Sequence, residues 1–158
     1  MNRAPQTLDH AGIAARVPHA GRMCLLDALL GWSDEQIHCR ITNHAEPAHP
    51  LRTPGGLLAP AAVEYAGQAM ALHAALCAEL CAENQAGPPR AGFLASARGL
   101  TLHTPRLDTA RGPLQLQATR LLGDARQAQY RFSLFDAGGA PLVEGRATVV
   151  LDGVPHPA

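Results

Sequence analysis

From Leu57 to Ala82 the chain is apolar almost without a break, interrupted by Glu64, Gln68, His73 and Glu79. Pro60 sits where proline favours the first turn of a helix, and the stretch predicts one long helix from Pro60 to Glu83. Ala, Leu and Met occupy most of its circumference, and a helix that is apolar nearly all round must be buried on most sides. The four polar residues argue for a buried helix and against a membrane span.

The flanking sequence shows what could bury it. Asp9 to Arg16 predicts a short helix with an Asp cap, ended by Val17-Pro18, because the residue before proline avoids helical torsions. Met23 to Trp32 runs apolar into a first strand. Gln36 to Thr42 alternates, with Ile37, Cys39 and Ile41 on one face. Asn43 to Ala59 is a long connection rich in Pro and Gly, of a length usually reserved for function. After Gly87-Pro-Pro89 the period becomes two. Gly92–His103, Leu114–Leu122, Gln127–Phe135 and Pro141–Leu151 read as strands, and Asp136-Ala-Gly-Gly139 reads as a hairpin turn. A single apolar helix among these strands is hidden only if the sheet curls around it. The expected class is α+β, the hotdog fold, with residues 10–152 as one domain, 1–9 a loose terminus and 153–158 a tail. A dimer is expected, since the helix tolerates no open side.

Composition narrows the function. Thirteen basic residues balance 13 acidic ones, with no basic stripe, so nucleic acid is not the expected partner. All 13 are Arg, which excludes a Schiff-base lysine and a P-loop lysine. Cys24, Cys39, Cys77 and Cys81 form no CxxC and read as reduced thiols packing a cytosolic core rather than as zinc ligands. No signal-peptide pattern opens the chain, and the expected location is the cytoplasm.

Two segments carry chemistry: Val17-Pro18-His19-Ala20-Gly21-Arg22-Met23, followed by Leu25-Leu26-Asp27, and Val63-Glu64-Tyr65-Ala66-Gly67-Gln68-Ala69. Together they resemble the β-hydroxyacyl-acyl-carrier-protein dehydratases, which carry Pro-His before an apolar Leu-Leu/Val-Asp run and a Glu four residues before Gln on the central helix. The nearest resemblance is to the divergent predicted dehydratases of aryl-polyene gene clusters, with Glu-Tyr on the helix and a Gly-Phe-Leu strand, as at Gly92-Phe93-Leu94. It covers roughly residues 10–150. The resemblance implies that His19 and Glu64 are the catalytic acid–base pair, contributed by opposite subunits of a dimer. It also implies a substrate carried on acyl-carrier protein or coenzyme A. The chain departs from the pattern in two places. Where a carbonyl-binding glycine would precede the helix stands Ala59, followed by Pro60, which has no N–H; glycines occur earlier, at Gly55 and Gly56. The aromatic residues expected after the His are replaced by Gly21-Arg22-Met23.

The residue types suit that reaction. Dehydration of a β-hydroxyacyl thioester needs a base at the α-carbon, an acid at the β-oxygen and donors for the thioester oxygen. Histidine as a residue type suits a base at neutral pH, which makes His19 the candidate. Glu64 in an apolar helix is expected to be buried, which would raise its pKa and keep a usable fraction protonated. Gln68, one turn further along, either holds the Glu64 carboxyl or is a satisfied buried amide. Gly55, Gly56, Ala59 and Gln68 are the candidate substrate-binding residues. Arg22, Arg52, Arg90 and Arg106 are candidates for docking an acidic carrier. No cofactor or metal is expected for this elimination. His44, His49, His73 and His103 read as structural or loop residues, and Asp27 as either a group behind the site or a turn residue. Competing readings are a hotdog acyl-thioesterase, whose carboxylate would activate water without His19, and a non-catalytic accessory subunit completing a partner dehydratase.

Overall fold

The computed structural model describes residues 4–81, 92–124 and 126–151. Its six strands are β1 (Ala28–Trp32), β2 (Gln36–Ile41), β3 (Gly92–Leu102), β4 (Leu114–Gly123), β5 (Gln127–Phe135) and β6 (Pro141–Leu151). They form one antiparallel sheet in the order β1-β2-β4-β5-β6-β3. The short helix α1 (His10–Ala14) precedes it, and the long helix α2 (Ala62–Cys81) packs against the sheet from β2 to β3. This is the hotdog arrangement.

Alternation in the sequence becomes the inner face of the sheet. Ile37, Cys39, Ile41, Leu114, Leu116, Ala118, Tyr130, Phe132, Leu134, Val143, Ala147 and Val149 are all buried. They meet Tyr65, Ala66, Ala69, Met70, Leu72 and Leu76 of α2 in one core. Fully burying side chains the size of Met70 or Leu72 contributes about 1.5–3 kcal/mol each. Gly145 falls on this face opposite Phe132, and a Cβ there would come within 2.5 Å of Leu100 Cδ2 and 3.3 Å of Phe132 Cε1.

Three boundaries differ from the sequence expectation. The apolar run after Met23 becomes a strand only at Ala28; Gly21–Met23 is a 3-10 turn and Cys24–Leu26 is irregular but buried. The long helix starts at Ala62, because Ala59–Ala61 form a 3-10 turn around Pro60. The N-terminus is not loose from Ala4 on. The Pro5 carbonyl accepts Trp32 Nε1–H at 2.8 Å, and Leu8 exchanges backbone hydrogen bonds with Leu29. The predicted 153–158 tail and the Gly87-Pro-Pro89 break lie outside the described residues. Cys24 and Cys39 are buried free thiols, with Cys39 pushed up to about 12 by burial, whereas Cys81 is exposed and packs no core. No described helix is long and apolar enough to cross a membrane.

Candidate active site

The two motif segments meet. His19, just ahead of the 3-10 turn, places Nε2 at 3.1 Å from Oε1 of Glu64 on the first turn of α2. Both belong to one chain, whereas the resemblance implied a pair formed across subunits. The side chains are 25% and 34% exposed, so the pair faces outward from the core. Glu64 is therefore only half-buried, short of the burial expected: on the first turn of α2, Ala62 and Tyr65 turn into the core and Glu64 lies between them at its edge. His19 Nδ1 is buried and has no hydrogen-bond partner among the described residues.

Gln68 fixes this geometry. It is fully buried, and every polar atom is used. Its Nε2 donates to Glu64 Oε1 at 3.2 Å and to the Met23 carbonyl at 2.6 Å, while its Oε1 accepts the Leu25 N–H at 2.8 Å. One side chain thus ties Glu64 on α2 to the loop that carries His19. The same loop is held from other directions. His10 Nε2 lies 3.0 Å from the Cys24 carbonyl, and Asn43 Nδ2 donates to the Leu25 carbonyl at 3.1 Å. Asn43 Oδ1 in turn accepts from Tyr65 Oη at 2.7 Å, and Tyr65 Oη lies 2.8 Å from His49 Nε2. His49 Nδ1 accepts the Leu51 N–H, so Nε2 carries the ring proton and donates to Tyr65. Burial lowers the His49 pKa, which keeps that neutral tautomer.

Asn43 and Tyr65 brace the loop that carries His19, a contact the sequence reading does not anticipate. His49 is a structural histidine of the long loop, as expected, buried and bonded to Tyr65. The one signal was Asn43, a polar residue immediately following an alternating strand. Asp27 pairs with Arg40 at 2.7 Å on the surface and does not reach the pair.

The expected donors for a thioester oxygen are engaged elsewhere. Gly55 N–H bonds Thr53 Oγ1, Gly56 N–H bonds the Thr53 carbonyl and Ala59 N–H bonds the Pro105 carbonyl. Gly56 is glycine for a different reason: its φ is +101°, and a Cβ would come within 2.6 Å of the Arg106 guanidinium. Arg106 and Arg52 both pair with the nearly buried Asp108, whose carboxyl also accepts the Leu57 N–H. The Arg106 hydrogen bond leads in lowering Asp108 to about 2. Of the four arginines expected to dock a carrier, Arg52 and Arg106 are therefore committed to bracing this loop. Arg22 is exposed beside the His19 turn, and Arg90 lies outside the described residues. Among the described residues no group of three or more His, Cys, Asp and Glu side chains is placed to hold a metal ion.

The family model of the ApeP-like proteins, described as ApeP dehydratase, matches residues 11–153. The chain belongs to the ApeP-like dehydratase family. No curated protein matches its sequence. Among solved structures it is similar to the dehydratase heterocomplex ApeI:P from Xenorhabdus doucetiae, with 23% identity, 89% of this chain and 91% of that chain covered, and a TM-score of 0.77. It is also similar to a mutant thioesterase from Pseudomonas aeruginosa, with 16% identity, coverage of 97% and 100%, and a TM-score of 0.64. A thioesterase from Haemophilus influenzae follows, at 13% identity, coverage of 82% and 81%, and a TM-score of 0.56. At these identities the structural likenesses establish the hotdog fold; the dehydratase family rests on the sequence model.

Proposed function

We propose that this ApeP-like dehydratase removes water from β-hydroxyacyl thioesters to give trans-2-enoyl thioesters, with the acyl group carried on acyl-carrier protein or coenzyme A. The observation that carries the reading is the His19–Glu64 contact, 3.1 Å long, accessible, and clamped by Gln68. In a syn elimination across adjacent carbons, the base and the acid address neighbouring atoms on one side of the chain, and a contacting pair supplies both. His19 Nε2 takes the α-proton, and the C–H electrons become the new C=C bond. The C–O bond breaks as Glu64 gives its proton to the departing hydroxyl, which leaves as water. The imidazolium and carboxylate left behind exchange one proton across the contact and return to the starting state.

A second reading has a specific observation behind it. The N–H groups of Gly55, Gly56 and Ala59 are already bonded, which leaves the thioester oxygen without its expected donors in this chain. This favours a site completed by a second subunit. The ApeI:P neighbour is a heterocomplex, and the pairing proposed here is with a related hotdog subunit, either catalytic or accessory in role.

The test is product analysis. The purified chain, alone and co-purified with a related hotdog subunit, is given crotonyl thioesters of coenzyme A and of acyl-carrier protein. Hydration to the β-hydroxy product without thiol release is expected, in the heterodimer at least. Thiol release without hydration identifies a thioesterase instead. Inactivity both alone and with the partner removes the dehydratase reading.

A further inference from the structure

The face of the sheet turned away from α2 carries a feature that the elimination does not use. Arg98 on β3 is in register with Arg146 on β6, and Arg146 with Arg131 on β5. Three guanidinium side chains thus stand abreast on adjacent strands, spanning about 10 Å at the usual strand spacing. All three residues are exposed. Like charges directly opposite one another destabilise a sheet, and among the described residues no carboxylate forms an ion pair with any of the three. The ion pairs of the described residues use Arg16, Arg40, Arg52 and Arg106, and none of these three. Glu144, two residues from Arg146 on the same strand, is bonded to His103 Nε2 at 2.9 Å. The chain as a whole has no net charge, so the row is a local excess.

Beside it lies a row of neutral donors: Ser96, Thr148 and Gln129 are also abreast on β3, β6 and β5. A cleft of about 270 Å³ opens between the two rows, lined by Ser96, Arg98, Gly99, Gln129, Arg146 and Thr148. Gly99 has φ +60° at an irregularity in the pairing between Arg98 and Thr101. Bulges of this kind re-aim a neighbouring side chain. Two guanidiniums, two hydroxyls and an amide around one small cleft are a donor set for tetrahedral oxyanions, which arginine binds with charge-assisted, often paired hydrogen bonds. The cleft is sized for a phosphoryl group on a small molecule rather than for a protein segment.

We propose that the cleft between Arg98 and Arg146 on the outer face of the sheet is a binding site for a phosphorylated small ligand, separate from the His19–Glu64 site. Inorganic pyrophosphate serves as the probe, titrated into the intact chain by calorimetry at constant ionic strength set with sodium chloride. The expected result is saturable binding with one site per chain. Arg98→Gln and Arg146→Gln should each weaken it by about tenfold or more, whereas His19→Ala should leave it unchanged. These substitutions sit on an exposed face, and matched circular-dichroism melting confirms that each variant is folded. Absence of saturable binding overturns the proposal, as does affinity retained in the Arg98→Gln/Arg146→Gln double variant. Binding abolished by His19→Ala overturns it too, by placing the phosphate at the other site.

Discussion

Two histidines, one on α2 and one packed against its first turn, are held in opposite ways. His73, midway along the helix, is fully buried and saturated: Nδ1 accepts from Tyr130 Oη at 2.6 Å, and Nε2 donates to the Ser33 carbonyl at 2.7 Å. Trp32 and Tyr130 close on its ring edge-to-face. His19 meets the same helix at its first turn, is a quarter exposed, and touches one carboxylate while its other nitrogen has no partner among the described residues. The first environment locks a tautomer and fixes β1, α2 and β5 to one another. The second leaves Nε2 at an accessible contact with the Glu64 carboxylate. The same side chain serves architecture where every hydrogen-bonding position is filled and, under the reaction proposed above, chemistry where one is not.

The comparison breaks first if the two histidines exchange roles on substitution. His19→Ala or Glu64→Gln should lower dehydratase turnover by about 10²–10⁴-fold, the usual contribution of a positioned acid or base. Melting temperature should barely change, since the pair is accessible. His73→Ala should do the reverse. It opens a cavity and strands the Tyr130 hydroxyl and the Ser33 carbonyl, a stability loss of about 2–4 kcal/mol read from urea unfolding. Turnover per folded molecule should be retained. A stable, inactive His73→Ala would contradict the assignment.

Gln68 joins the two kinds of environment, being buried like His73 yet bonded to Glu64. Gln68→Leu should therefore show both effects at reduced size. A loss of about 1–3 kcal/mol in stability is expected from the stranded Leu25 N–H and Met23 carbonyl. A loss of about tenfold in kcat, with KM nearly unchanged, is expected from a Glu64 no longer held in place. Full activity in a destabilised Gln68→Leu would reduce it to a structural amide.

The smallest effect is on pH. Burial lowers the pKa of His73 below its ordinary 6.5. The unfolded chain therefore takes up that proton first as pH falls. The associated stability is fully present above about pH 6.5 and is lost progressively below it, toward the lowered folded value. The melting temperature should drop between pH 7 and pH 5, less steeply in His73→Gln. Equal slopes in the two proteins would mean that His73 is protonated in the folded state.

Much of this was legible in the sequence because it was periodic. β5 and β6 begin and end where the alternation does, at Gln127–Phe135 and Pro141–Leu151. The segment after Met23 was less legible for a physical reason. Cys24-Leu25-Leu26 is as apolar as a strand, but the N–H and carbonyl of Leu25 bond to Gln68 and Asn43 rather than to a neighbouring strand. Side chains distant in sequence outcompete the ladder there, and no local pattern announces them. The His19–Glu64 pair was found through its two motifs, while the Asn43–Tyr65–His49 network behind it was not, since its members share no spacing. Gly56 reads as a ligand-binding glycine by its place ahead of a helix; only the packing of Arg106 and Asp108 shows another cause.

The central claim is that His19 and Glu64 act as one unit, and a double-mutant cycle on crotonyl-thioester hydration tests it most directly. If one proton passes between them through each turnover, either single substitution disables the unit. His19→Ala/Glu64→Gln should then be no slower than the slower single variant. Losses that multiply in the double variant would show two independent groups and contradict the account.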